Sequence, residues 1–419
     1  MLIRGDTFDV AIEDGVIAAV GAGLAGGGEE LDARGLAILP GVVDAHVHLN
    51  DPGRSDWEGF ASGTAALAAG GATTCVDMPL NAHPPTVDAA SFDAKAAALR
   101  GVARIDVALW GGIVPGNLEE LDELAARGVV GFKAFMANSG IPDFAAADDL
   151  TLYEGMRRAA TLGLPVAVHA ESDAITSGLL ARATGTTMRD WAASRPAVAE
   201  TEAIARAIHL AEAAGCALHV VHVSTGAGVA LVAEARGRSV DVSCETCPHY
   251  LVLDEADAER RGAVAKCAPP LRAAAERDAL WRAIDEGTLP MVASDHSPSP
   301  PAMKAGEPLH AWGGIAGAQS TLELLVRDVP TDVLGGFAAR RLGLGGKGRL
   351  QPGADADLVL VDLDDPHVLR AEDLRQRHPI SPYVGRTLPA RVRRTILRGH
   401  TVYADGRLPG EPIGRLVTP

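Results

Sequence analysis

Aromatic residues are scarce in this chain, at 4% of 419 positions, so its core must be built mainly from Ala, Val and Leu. That composition suits parallel strands covered by Ala-rich helices. Long apolar runs are missing as well. No stretch approaches the roughly 20 apolar residues that a bilayer-spanning helix needs. Met1-Leu2-Ile3-Arg4-Gly5-Asp6 has neither the charged start nor the apolar core of a signal peptide, so a cytoplasmic location is expected. Cysteine is sparse too: Cys75, Cys216, Cys244, Cys247 and Cys267 are an odd set that fits reduced thiols better than a disulfide framework. Positive charge is in deficit, with 38 Lys and Arg against 54 Asp and Glu and a net charge of −16. Phosphate backbones are bound by clustered positive charge, so no nucleic-acid partner is expected, and no membrane.

What is present changes texture along the chain. Phe8-Asp9-Val10-Ala11-Ile12 and Val16-Ile17-Ala18-Ala19-Val20 flank the turn Glu13-Asp14-Gly15, and a Gly-rich connection covers 21–28. Similar strand texture returns at the far end, in 356–362 and in a hairpin over 395–403 that turns at Arg398-Gly399-His400. Between them, strand-like and helix-like segments alternate: 107–112 then 117–127, 131–135 then 150–162, 165–169 then 200–214, 217–222 then 226–235, and 240–245. Repeated units of that length predict a parallel sheet, and their number favours a closed (β/α)₈ TIM-type barrel. The expected division is a barrel over 43–347 and a small β-sandwich domain built from 1–42 and 348–419.

Polar residues fall at telling places in this alternation. The apolar run Ile38 to Val43 leads, through Asp44-Ala45, into His46-Val47-His48, whose imidazoles project from one face because strand side chains alternate. Lys133 sits between Phe132 and Ala134, His169 ends Pro165–Val168, His222 ends Leu218–Val221, and Asp295 ends Met291–Ser294. In a barrel, strand C-termini converge on one mouth, where active sites form. Four imidazoles, a carboxylate and a lysine there suggest a binuclear site for Zn²⁺ or a similar divalent ion. An ammonium cannot coordinate a cation. A neutral, desolvated amine, however, can take up CO₂ to give a carbamate, an anion with two oxygens able to bridge two ions. Cys244-Glu245-Thr246-Cys247 is a lone C-x-x-C inside a strand, without the second pair that a zinc ribbon needs.

The chain also resembles the amidohydrolase superfamily and, within its cyclic amidases, the allantoinase branch. The likeness runs from Gly41 through Gly399. It is carried by Asp56-Trp57-Glu58-Gly59-Phe60, Asp77-Met78-Pro79-Leu80-Asn81, Gly131-Phe132-Lys133, Ser194-Arg195-Pro196, Cys244 through Tyr250, and Ser294-Asp295-His296-Ser297-Pro298. Met303-Lys304-Ala305-Gly306, 311–317 and 381–387 narrow it to that branch.

The resemblance implies that His46, His48 and Asp295 bind a more buried metal and that His169 and His222 bind a more exposed one. His219 is the rival to His222. Lys133, as N6-carboxylysine, would bridge the two ions together with a hydroxide. Asp295 would take the proton of the attacking water and pass it to the leaving nitrogen. Zn²⁺ is the expected ion, and Co²⁺, Mn²⁺ and Fe²⁺ suit the same donors. The implied reaction opens the hydantoin-ring amide of allantoin, giving allantoate in purine breakdown, with a dihydropyrimidinase or hydantoinase activity as the alternative. Backbone near Ala268 and Trp312 would hold the ring, and Asn138 could donate a hydrogen bond. Dihydroorotases carry an Arg shortly after His-x-His to clamp a carboxylate, and here Asn50 stands there. Hydantoinases place a Tyr shortly after the bridging Lys, and 134–138 contains none. A homotetramer is implied by the resemblance alone.

Overall fold

Strands Val42–Val47, Ala72–Asp77, Asp106–Leu109 with Gly111–Gly112, Phe132–Phe135, Val166–His169, Leu218–Val220 and Val242–Cys244 run parallel and in chain order in the computed structural model, which describes residues 1–26 and 28–419. The Gly-rich connection expected over 21–28 crosses residue 27, which lies outside the described residues. Residues 291–296 complete the ring. Thr246 bridges to Val292 on one side and Val47 to His296 on the other, both parallel. The His48 amide donates to the His296 carbonyl at 2.7 Å. The result is a closed (β/α)₈ barrel. Its first two strands are buried along their whole length, as expected where helices cover one face and the barrel interior the other.

Helices follow each of the first seven strands, among them Phe60–Ala69, Ala89–Leu99, Leu121–Ala126, Asp149–Leu162, Ala197–Ala214, Gly226–Gly237 and Ala274–Asp285, with two shorter ones ahead of Ala197–Ala214 and two ahead of Ala274–Asp285. Local chemistry sets their ends. Asp148 accepts from the Thr151 amide at 2.7 Å to start Asp149–Leu162, and Gly163, at φ 69°, ends it in the left-handed conformation that costs glycine least. Ala197–Ala214 buries Ala199, Ala203, Ala207 and Ala211 in one stripe, so the aromatic-poor composition becomes close helix–sheet packing. Among the described residues no helix is long and apolar enough to cross a membrane.

The two ends of the chain meet below the barrel. Ala37–Pro40 pairs antiparallel with Leu358–Asp362, which pairs in turn with Arg391–Leu397 and its hairpin partner His400–Ala404. Leu2–Arg4, Asp9–Glu13, Val16–Gly21 and Glu30–Asp32 form a second sheet. Ile3, Val10, Ile12 and Ile17 from this sheet pack with Leu358, Leu360 and Ile396 from the other, which makes a β-sandwich.

Glu323, on the short helix Thr321–Leu325, ties the barrel to this sandwich by accepting the Val392 amide at 2.7 Å. Burial pushes its carboxyl up to about 7 from an ordinary 4.5. A folded-state value above the unfolded one gives stability that is full below pH 4.5 and lost as pH rises through about 7. Glu323→Gln, which keeps the shape and stays neutral, is therefore expected to melt progressively higher than the parent between pH 5 and 8. The difference should grow to on the order of 3 kcal/mol. A gap between the two melting curves that does not change with pH would contradict this.

Candidate active site

His46 and His48 leave the first strand on one face, with ring centroids 5.4 Å apart. Asp295, from the closing segment, places Oδ1 at 3.3 Å from His46 Nε2 and 3.4 Å from His48 Nε2. Two donors, each about 2.1 Å from one tetrahedral ion, lie about 3.4 Å apart, so this trio has the spacing of a divalent-cation site. Nearby, His169 Nδ1 lies 3.0 Å from His222 Nε2, and the His222 ring centroid is 5.5 Å from that of His46. Lys133 lies fully buried on the fourth strand, and its Nζ has no hydrogen-bond partner among the described residues. Its Nζ is 5.1 Å from the centre of the Phe135 ring, which stacks on His169. The structure thus brings together all six residues singled out by the sequence. His222 and Asp295 both adopt positive φ, 41° and 45°, a conformation that non-glycine residues seldom take outside special sites.

The electrostatics suit ligation. Burial pushes the pKa values of His48, His169 and His222 down, which keeps imidazole lone pairs free. Burial also brings Lys133 down to about 7, so much of its amine is neutral near physiological pH. For Asp295 burial works the other way, but the attraction of His46 and the hydrogen bond with His48 outweigh it and hold the carboxyl well below the usual range.

Two carboxylates that the sequence reading did not assign orient these rings. Glu245 lies 2.5 Å from His46 Nδ1, which leaves Nε2 to face Asp295. Its other oxygen lies 3.1 Å from His219 Nε2, while His219 Nδ1 meets Ser243 Oγ at 2.8 Å. Both His219 nitrogens are thus engaged away from the cation site. Burial opposes ionisation of Glu245, yet His46 and His219 bring it down to about 2. Glu171 lies 2.9 Å from His169 Nε2 and pairs with Arg195, which leaves His169 Nδ1 to face His222. Their sequence signal was available: each is a carboxylate at the end of an apolar strand, and Glu171 stands two residues beyond His169. Glu245→Gln should weaken divalent-ion binding by about ten- to a hundredfold, read by metal titration of the stripped protein. Unchanged affinity would mean that the carboxylate does not orient His46.

Cys244 and Cys247 are free and buried, and burial pushes both thiols up, so their C-x-x-C provides no ready thiolate. Cys247 and His249 do lie near Asp295, close enough to form a second potential ligand group with it. The raised thiol argues against that use.

A cavity of about 620 Å³ opens onto the four histidines and Asp295. Asn138 sits exposed at its rim, with its carbonyl oxygen accepting the Gly140 amide at 2.9 Å. Ala268 lines the wall, and neither its amide nor its carbonyl bonds to backbone among the described residues. Trp312 lines it too, but its amide donates to Met303 and its carbonyl accepts Lys304 at 2.9 Å. The adjacent Gly313 is the one with backbone groups unspent. Asn50 is buried outside the cavity wall, its amide directed to the Pro298 carbonyl at 3.4 Å.

Residues 37–402 match the amidohydrolase family, and the chain belongs to that family of metal-dependent hydrolases. It is similar over its whole length to the allantoinase of Rubrobacter xylanophilus, at 60% identity covering 100% of this chain and 97% of that one. The allantoinase of Deinococcus radiodurans is 50% identical over 93% of this chain and 90% of its own. Among solved structures, the L-hydantoinase (dihydropyrimidinase) of Arthrobacter aurescens superposes with a TM-score of 0.95 at 33% identity, covering 100% of this chain and 98% of that one. The dihydropyrimidinase of Brevibacillus agri gives a TM-score of 0.91 at 30% identity, covering 99% and 98%.

Proposed function

We propose that this enzyme opens the hydantoin ring of allantoin, hydrolysing a ring amide to give allantoate in purine breakdown. The observation that carries the reading is the gathering of six ligand-type residues, five of them lining one cavity, in a chain 60% identical, end to end, to an allantoinase. The hydantoinase structures favour a second reading, hydrolysis of simpler hydantoins or dihydropyrimidines. The lack of a Tyr in 134–138 speaks against it.

His46, His48 and Asp295 would hold the more buried of two divalent ions, and His169 and His222 the more exposed one. The donor set fits such ions: His48, His169 and His222 with pKa values pushed down by burial, a carboxylate held well below its usual range, and a buried amine without a partner among the described residues. Zn²⁺ suits these donors best, with Co²⁺, Mn²⁺ and Fe²⁺ as competitors. Ions held there supply Lewis acidity, polarising a carbonyl and making water nucleophilic near neutral pH. The neutral Lys133 Nζ adds to CO₂ and releases one proton, becoming N6-carboxylysine. A buried, unpaired amine would thereby become an anion able to pair with ions held there. Asp295, held ionised, accepts a proton from the attacking water and delivers it to the departing ring nitrogen. Unspent backbone at Ala268 and beside Trp312, both lining the cavity, would orient the ring, and Asn138 would meet it at the rim.

Around this site we assign residues 43–347 to the barrel unit and 1–42 with 348–419 to the β unit. The working form is assigned as a cytoplasmic homotetramer. The test is a substrate panel of allantoin, dihydroorotate, dihydrouracil and hydantoin on metal-reconstituted protein. Allantoin is expected to be the preferred substrate, and turnover of dihydrouracil or hydantoin in preference to it would favour the second reading.

A further inference from the structure

One wall of the cavity is chemically unlike the rest. Arg195 and Lys266 both line it, and both pack on Trp191, with the guanidinium carbon 4.4 Å and the ammonium nitrogen 4.0 Å from its ring centroid. Trp191 is fixed in turn by its indole N–H, which donates to the Cys267 carbonyl at 2.8 Å, one residue before Ala268. The wall therefore runs without a break from the proposed ring-binding backbone to Glu171 and, through it, to His169.

The two cations are committed differently. Lys266 donates to the Leu309 and Ala311 carbonyls, both at 2.7 Å, and so pins a loop that lines the cavity. Arg195 donates through Nη1 to Glu171. Its Nε and Nη2 make no hydrogen bond among the described residues, yet neither is among the sealed polar atoms that lack a partner. Those N–H groups are therefore not sealed, and Arg195 lines the cavity. A guanidinium fork carries donors in a fixed plane, and with Glu171 on one edge the free edge offers directed N–H bonds with little net charge. Such an edge matches a neutral, strongly polarised carbonyl better than a carboxylate.

We propose that the free edge of Arg195 is a subsite for the carbonyl oxygen of the ureido substituent on the substrate's ring, making Arg195 the residue that selects ureido-bearing hydantoins. This rests on the allantoin reading above and goes beyond it by assigning the recognition of the side arm. Lys266 is a positioning residue here, holding the lining loop in place beside the arm. No residue of the proposed ion site takes part.

The test uses the full metal-loaded chain and two variants. Arg195→Lys keeps a cation for Glu171 and loses the planar fork, whereas Arg195→Met loses both. For each protein, bound metal per chain, kcat and KM are measured with allantoin, and hydantoin, which lacks the arm, is measured as substrate or as competitive inhibitor. For Arg195→Lys the expected result is retention of bound metal and a rise of about tenfold or more in KM for allantoin, larger than any fall in kcat, as for loss of a charged hydrogen bond. The preference for allantoin over hydantoin should fall by a similar factor. If Arg195 acts only through Glu171 and His169, both variants will lose metal or kcat with that preference unchanged, and the subsite is wrong. Unaltered kinetics in both variants would overturn it as well. A parent enzyme that fails on allantoin while turning over hydantoin would refute the allantoin reading itself, whatever the variants do.

Discussion

Asp295→Asn is expected to lower kcat on allantoin by about three orders of magnitude or more, with the fold intact. The magnitude follows from two roles meeting in one carboxylate. Asp295 lies 3.3 and 3.4 Å from the Nε2 atoms of His46 and His48, so it completes the buried donor trio. In the proposed reaction it also accepts the proton of the attacking water, and positioned acid–base catalysis alone contributes about 10²–10⁴-fold. Asn retains the size and one oxygen but can neither accept that proton nor supply the charge. Steady-state rates, bound metal and melting temperature should be read together on one preparation. A variant with normal kcat would remove Asp295 from the proton path.

Lys133→Ala should lose activity and bound metal together. The amine is wholly buried with no partner among the described residues, and burial has brought it down to about 7, a setting with no evident structural purpose for a lysine. If it is present as a carbamate, small carboxylic acids supplied to the alanine variant should enter the vacated space and restore part of both metal binding and rate. A Lys133→Ala enzyme with full activity and two bound ions would show that the bridge is not needed.

The sequence made much of this legible for a simple reason. Strand side chains alternate with period two, and apolar runs mark buried strands, so a polar residue at the end of such a run points at the barrel mouth. His46, His48, His169, His222 and Asp295 are visible by that rule, and Lys133 by being a lysine inside an apolar run. The eighth strand was harder, because residues 291–296 join the ring by single bridges rather than a ladder. Glu171 and Glu245 carried a signal too, yet their role exists only as a distance to an imidazole, Glu245 reaching His46 across 199 residues. Asn50 shows the reverse limit. Its position after His-x-His suggested a place in the substrate wall, whereas its left-handed backbone, at φ 65°, accompanies a side chain buried outside that wall and directed at Pro298. What the position contributes to selectivity is the absence of a cation.

That absence sets up the most direct test of the proposed function, the ratio of kcat/KM for allantoin to that for dihydroorotate on one metal-loaded preparation. Allantoin is neutral, and the arginine within the cavity is already paired with Glu171, so its free edge offers a substrate carboxylate hydrogen bonds but little net charge. A missing charged hydrogen bond of about 1.5–3 kcal/mol corresponds to roughly one to two orders of magnitude in rate. The account predicts a ratio of at least that size in favour of allantoin. Equal or higher efficiency on dihydroorotate would contradict it.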